Sequence, residues 1–120
     1  MVDVQIADGK LVLTLEGLDK LWAMKSHLSI PLANVSAVRA DPAITAEKGR
    51  TGLKLTGARL GERLIAGSFR QDGRTVFWDV HDPAKAIVLD LHDEHYAQLI
   101  VEVEDPAAVV AKIRAALGKS

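Results

Sequence analysis

The chain consists of short runs in which apolar and polar residues alternate, and one amphipathic helix follows them at the end. The last run, 99–104, leads directly into a predicted helix over 107–117. Asp105 is a favourable N-cap because its carboxylate accepts hydrogen bonds from the free amides of the first turn, and Pro106 loses no hydrogen bond at the first helical position. Gly118 supplies the left-handed residue that ends the helix. Many strands followed by a single helix restrict the possible folds more than any other feature of the sequence.

The alternating runs predict about seven antiparallel strands at the spacing of a small barrel or sandwich. Asp-Gly pairs at 8–9 and 72–73 each separate two such runs, and they predict hairpins because both positions of a type I′ turn need a positive φ. We expect a short helical turn over 17–25 and an irregular segment over 40–62. The terminal helix has a single apolar stripe, which suits it to cover the open end of a strongly bent sheet. That stripe is formed by Val109, Val110, Ile113 and Leu117. The predicted fold is therefore mainly β (α+β), a half-open barrel capped by one C-terminal helix.

Composition narrows the class of protein. A length of 120 residues predicts a single domain, 1–120, with its own core. The formal net charge of −1 argues against nucleic acid as a partner, because a general nucleic-acid binder needs a basic face to neutralise phosphates. The sequence contains no cysteine, which excludes disulfides and thiolate chemistry. No apolar run approaches the length of a transmembrane segment, and the N-terminal residues alternate like a strand and lack the basic-then-apolar order of a signal peptide, so we expect a cytoplasmic protein.

Two segments carry a resemblance to a known fold family. Residues 30–38, Ile-Pro-Leu-Ala-Asn-Val-Ser-Ala-Val, are similar to a strand common in bacterial pleckstrin-homology-like (PH-like) proteins. The closing segment 101–110, Val-Glu-Val-Glu-Asp-Pro-Ala-Ala-Val-Val, is similar to their last strand and helix. The chain thus resembles bacterial PH-like domains of unknown function, and the resemblance implies a barrel capped by the helix. PH domains that bind phosphoinositides carry several basic residues around the first hairpin, whereas here Lys10 stands alone beside Asp8. This difference argues against binding to a membrane surface.

The segment 39–63 is rich in glycine and in basic residues. It contains three acidic residues and six basic ones, which are Arg39, Lys48, Arg50, Lys54, Arg59 and Arg63. A cationic, glycine-rich loop can surround an anion with backbone amides and basic side chains, and these six residues are candidate ligand-binding residues. The alternative is a solvated surface loop whose charges contribute only to solubility.

Histidines beside carboxylates suggest two further sites. His92 and His95 flank two acidic residues, a set that offers metal ligands or forms an ordinary polar turn. His81 lies between Asp79 and Asp82, a setting that suits a general base, but no nucleophile is evident beside it. We therefore predict no catalytic residue, no metal site and no cofactor.

The aromatic residues suggest a contact surface. Phe77 and Trp78 are adjacent on one predicted strand, so their side chains point to opposite faces. Trp78 is expected in the barrel interior, which leaves Phe77 with its neighbours Thr75 and Asp79 as an exposed interaction surface. The alternative is that the long irregular segment covers Phe77.

The predicted function is that of a non-catalytic PH-like module that binds a protein partner or self-associates through its sheet face and edges. An alternative is binding of an anionic small molecule or headgroup by the segment 39–63. A hydrolase-type enzyme that uses His81, or His92 and His95, is a third and less favoured hypothesis.

Overall fold

The structure, a computed structural model, describes residues 2–16, 27–40, 53–60, 64–71 and 73–118. These residues form nine strands, one α-helix, α1 (Pro106–Ala116), and two short 3₁₀ helices, Leu32–Asn34 and Pro83–Lys85. Three strands make a first sheet in the order β1-β2-β3, and six make a second in the order β4-β8-β9-β7-β6-β5. The strands are β1 (Val2–Ala7), β2 (Lys10–Leu15), β3 (His27–Pro31), β4 (Val35–Ala40), β5 (Leu53–Leu60), β6 (Leu64–Gln71), β7 (Arg74–Val80), β8 (Ala86–Leu91) and β9 (Gln98–Glu102).

Both predicted hairpins are present. Asp8 and Gly9 have φ values of 53° and 72°, as the two positions of a type I′ turn require. Ala7 and Lys10 pair on either side of that turn, and Gln71 and Arg74 pair on either side of the second hairpin, although Asp72 itself lies outside the described residues. The short helix predicted over 17–25 also lies outside them.

The mainly β class with one C-terminal helix is confirmed, but the strand arrangement differs from the prediction in two ways. The described residues form nine strands rather than about seven, and β7 and β9 pair in parallel. Within the described ranges the two sheets share no ladder, so the strands do not close into a barrel. The irregular segment expected over 40–62 is also wrong in part, because Leu53–Leu60 forms an eight-residue strand paired with β6.

The six-stranded sheet is buried on both faces along its central strands. One face carries Phe77 and Leu99 and belongs to a large core shared with the first sheet and α1. The other face carries Trp78 and Ile100 in a second apolar cluster. The register places Gly67 opposite Trp78, and a glycine there leaves room beside the indole ring. Strand β7 therefore has no solvated face.

The helix α1 lies against the edge strands of both sheets. Asp105 Oδ1 accepts a hydrogen bond from the Ala108 amide at 3.2 Å, and Gly118 has a φ of 77°, so both predicted helix ends are confirmed. Val110 and Ile113 are buried in the core, and Val109 and Leu117 are partly buried against it. The apolar stripe is thus in the core, as predicted, but it packs between two sheets rather than over the end of a barrel.

Truncation of Phe77 tests this two-faced burial. We expect Phe77→Ala to lower the free energy of unfolding by about 3–5 kcal/mol, because it removes a fully buried ring. The exposed Thr14→Val variant, which keeps a β-branched residue, should change it by about 0.5 kcal/mol or less. Urea unfolding followed by circular dichroism measures both. An effect of Phe77→Ala as small as that of the control would contradict the burial.

Candidate functional site

Phe77, the predicted centre of an interaction surface, lies in the core. Its ring is fully buried, and its centroid is 5.5 Å from that of Tyr96. Asp79 is also fully buried, and Thr75 is half-buried. The prediction of exposure is wrong because alternation assigns residues to opposite faces of a strand but does not show whether a face is covered. Here both faces are covered, so this group offers no contact surface.

The six basic residues of 39–63 do not form a described cluster. Arg39 lies on β4 and donates through Nη1 to Asp90 Oδ2 at 2.8 Å, and Gln98 donates to the other oxygen of that carboxylate. The Arg39 charge is therefore already paired. Lys54 and Arg59 occupy positions on β5, opposite Phe69 and Ile65 in the register. The three others, Lys48, Arg50 and Arg63, lie outside the described residues. The anion-binding hypothesis thus stays a prediction without geometric support.

The histidines have separate partners. His92 Nδ1 lies 2.7 Å from Ser36 Oγ, and the ring of His95 packs edge-on against Tyr96 with centroids 4.8 Å apart. The His81 amide donates to Glu102 Oε1 at 2.7 Å, and the same oxygen accepts from the Asp82 amide. Among the residues that the structure describes, no group of three His, Asp or Glu side chains is placed to hold a metal ion.

The contact between Ser36 and His92 joins residues that are far apart in the sequence and that sequence reasoning did not connect. A hydroxyl beside an imidazole is the first requirement of nucleophile activation. Both side chains are exposed, however, and catalysis by such a pair relies on a water-excluded, preorganised site. The contact is therefore a surface hydrogen bond that links β4 to the turn after β8.

Four strands form the edges of the two sheets, and they differ in how they are covered. At the edge strand β4, Arg114 donates to the Val38 carbonyl at 3.1 Å, and α1 packs alongside. Strand β3 ends at Pro31, which has no amide hydrogen to offer. Strand β1 pairs only with β2, and no other described strand lies on its outer side.

The outer side of β1 carries backbone groups that do not pair with β2. In a hairpin with a two-residue turn the flanking residues, here Ala7 and Lys10, form a hydrogen-bonded pair, and bonded and non-bonded pairs then alternate. Val2, Val4 and Ile6 therefore direct their amide and carbonyl groups away from β2. The Val4 carbonyl accepts a hydrogen bond from Lys112 Nζ at 2.8 Å, in agreement with this direction.

A groove runs along this edge, between β1 and the start of α1. It encloses about 550 Å³, a volume within the usual range of ligand sites. Val109, which is partly buried, contributes apolar surface, Val103 is almost fully covered, and Lys112 reaches across the groove. Its remaining lining residues are Val2, Asp3, Val4, Gln5, Glu16, Glu104 and Asp105. We call this space the β1 groove.

The β1 groove could not be read from the sequence. Its lining comes from the first hairpin and from the last strand and helix, and Val4 and Lys112 are 108 positions apart. The only local signal is the short, alternating first strand, whose apolar residues indicate a buried face but not an unpaired edge.

Comparison with known proteins adds no relative: no family model, no curated protein and no solved structure matches this chain. In the part of the chain that the structure describes, no helix combines the length and the apolar character needed to cross a membrane.

Hydrogen exchange of the β1 amides tests the assignment of its open edge. We expect the amides of Val4 and Ile6 to exchange with solvent at least tenfold faster than those of Asp3 and Gln5, because only the latter pair with β2. Amide exchange followed by NMR measures the four rates within one strand. Equal protection of all four would show that β1 is paired on both sides.

Proposed function

We propose that the protein is a non-catalytic, PH-like binding module that receives an extended segment of a protein partner along β1. The observation that carries the proposal is the outer edge of β1, with which no described strand pairs, beside a groove of about 550 Å³. Backbone hydrogen bonds to an exposed sheet edge supply affinity in this mode of recognition, and pockets for alternate side chains supply specificity. The PH-like assignment rests on the sequence resemblance of residues 30–38 and 101–110, and a cytoplasmic location belongs to the same proposal.

The β1 groove offers both backbone hydrogen-bonding groups and side-chain contacts, which strand addition requires. Val2, Val4 and Ile6 present donors and acceptors at the spacing of a β-ladder. An added strand directs alternate side chains toward Val109, which is only partly buried and offers apolar surface. The edges of β4 and β3 serve this purpose less well, because α1 packs alongside β4 and β3 ends at Pro31.

Self-association through the same edge is disfavoured by charge. Pairing of β1 with β1 of a second copy about a two-fold axis brings equivalent surfaces together. In the register centred on Asp3 the Asp3 carboxylates of the two copies lie opposite each other, and in every register the acidic residues that line this edge in one copy approach those of the other. Like charges opposite one another in a sheet are destabilising. A different protein is therefore the favoured partner.

A peptide with alternating side chains tests strand addition. The probe is a blocked heptapeptide in which valine alternates with glutamine, and its control is the same peptide with alternate backbone amides N-methylated. We expect the first peptide to slow exchange of the Val4 and Ile6 amides at least tenfold at saturation, and the N-methylated peptide to leave them unchanged, because it cannot complete the ladder. Amide exchange by NMR measures both.

Two outcomes would overturn the proposal. One is that neither peptide protects the β1 amides at millimolar concentration. The other is that the N-methylated peptide binds as well as its parent, because backbone pairing would then contribute nothing.

A further inference from the structure

The charges around the β1 groove indicate the kind of segment that it accepts. Four carboxylates line it, and Lys112 supplies the one basic group among the lining residues. The four acids are Asp3, Glu16, Glu104 and Asp105, and all are exposed. The chain as a whole carries a formal net charge of only −1, so the groove is far more acidic than the average surface.

The carboxylates stand on both sides of the path of an added strand. Asp3 projects from the solvated face of β1, and Glu16 follows β2 beside the paired residues Val2 and Leu15. Glu104 and Asp105 precede α1 on the opposite wall. A side chain that points away from the core on an added strand therefore lies between carboxylates contributed by two separate parts of the fold.

The chain itself places an ammonium group in this groove. Lys112 Nζ donates to the Val4 carbonyl, an acceptor that an added strand would use. Lys112 thus places a positive charge and a hydrogen-bond donor at one position of the β1 edge. A basic partner segment would supply the same two features.

We propose that the β1 groove selects an extended segment in which lysine or arginine alternates with apolar residues. This inference rests on the proposed function, because it presupposes strand addition to β1. Apolar side chains of the segment face the partly buried Val109, and the basic side chains between them face the carboxylates. Each exposed ion pair contributes modestly, and several together favour a basic over a neutral segment by about tenfold.

Three blocked heptapeptides test the charge preference, with valine alternating with lysine, glutamine or glutamate. We expect the lysine peptide to bind about tenfold more tightly than the glutamine peptide, and the glutamate peptide to bind more weakly than either. The advantage of lysine should fall as salt rises from about 0.05 M to about 0.5 M, because exposed charges are screened. Fluorescence anisotropy of labelled peptides measures the affinities.

Matched variants test whether the preference for a basic segment arises from the β1 groove. Asp3→Asn combined with Asp105→Asn removes two groove charges while asparagine preserves the N-cap of α1, and it should reduce the lysine advantage at least threefold. The control pair is Asp82→Asn with Asp93→Asn, which neutralises two exposed acids outside the groove lining. Asparagine also tolerates the positive φ of Asp93. The control pair should leave the advantage unchanged.

The outcomes separate this inference from the proposed function. Equal affinities for lysine and glutamine peptides, with the β1 amides protected by both, would overturn the charge preference and leave strand addition intact. An equal loss of the lysine advantage in the groove and control variants would also overturn it, because the effect would then reflect overall charge. Absence of protection at β1 with any peptide would overturn both proposals.

Lys112 provides an independent test. Lys112→Met keeps most of the apolar stem and removes the donor that occupies the Val4 carbonyl. We expect this variant to bind the lysine peptide about fivefold more tightly, because a competing hydrogen bond and a repelling charge are both lost. Unchanged or weaker binding would contradict a bound strand that pairs with the Val4 carbonyl.

Discussion

Burial of β7 on both faces is the constraint on which the rest of the structure depends. Phe77 and Trp78 are neighbours, point in opposite directions and are both fully buried. Such a strand needs its polar groups satisfied internally, and Trp78 Nε1 donates to Gln71 Oε1 at 2.7 Å, while Ser68 Oγ and Tyr96 Oη share a hydrogen bond on the other face. Because the central strands are buried on both faces, they stabilise the fold and offer no contact surface. Candidate contact surfaces therefore lie at the edges of the sheets.

The helix α1 determines which edges remain open. It packs between the two sheets through Val110 and Ile113, and its basic side chains reach the edge strands on either side. Arg114 contacts β4 and Lys112 contacts β1, so both edges have a carbonyl covered by a cation. Natural proteins protect edge strands in this way against unwanted pairing. At β1 the protection is a single lysine side chain above a groove, and on this combination rests the proposal that a partner strand replaces it.

Local signals predicted the local features of the fold. The Asp8-Gly9 turn and the Asp105 cap follow from backbone conformations that few residues favour, and both are present. Strand β5 was not predicted, because a register shift between Lys54 and Thr56 interrupts its alternation and Gly57 follows directly. Phe77 was predicted to be exposed because alternation shows on which face of a strand a residue lies, but not whether that face is covered. The parallel pair of β7 and β9 and the β1 groove depend on long-range contacts, which no local pattern encodes.

Intermolecular nuclear Overhauser effects test the central claim, that β1 receives an added strand, most directly. In an antiparallel ladder the Hα atoms of non-hydrogen-bonded pairs lie close together, and for a strand added outside β1 these pairs involve Asp3 and Gln5. With an isotope-labelled protein and the unlabelled lysine peptide, the account predicts Hα–Hα effects from Asp3 and Gln5 to the peptide. Effects confined to β3 or to the exposed side of α1 would contradict it.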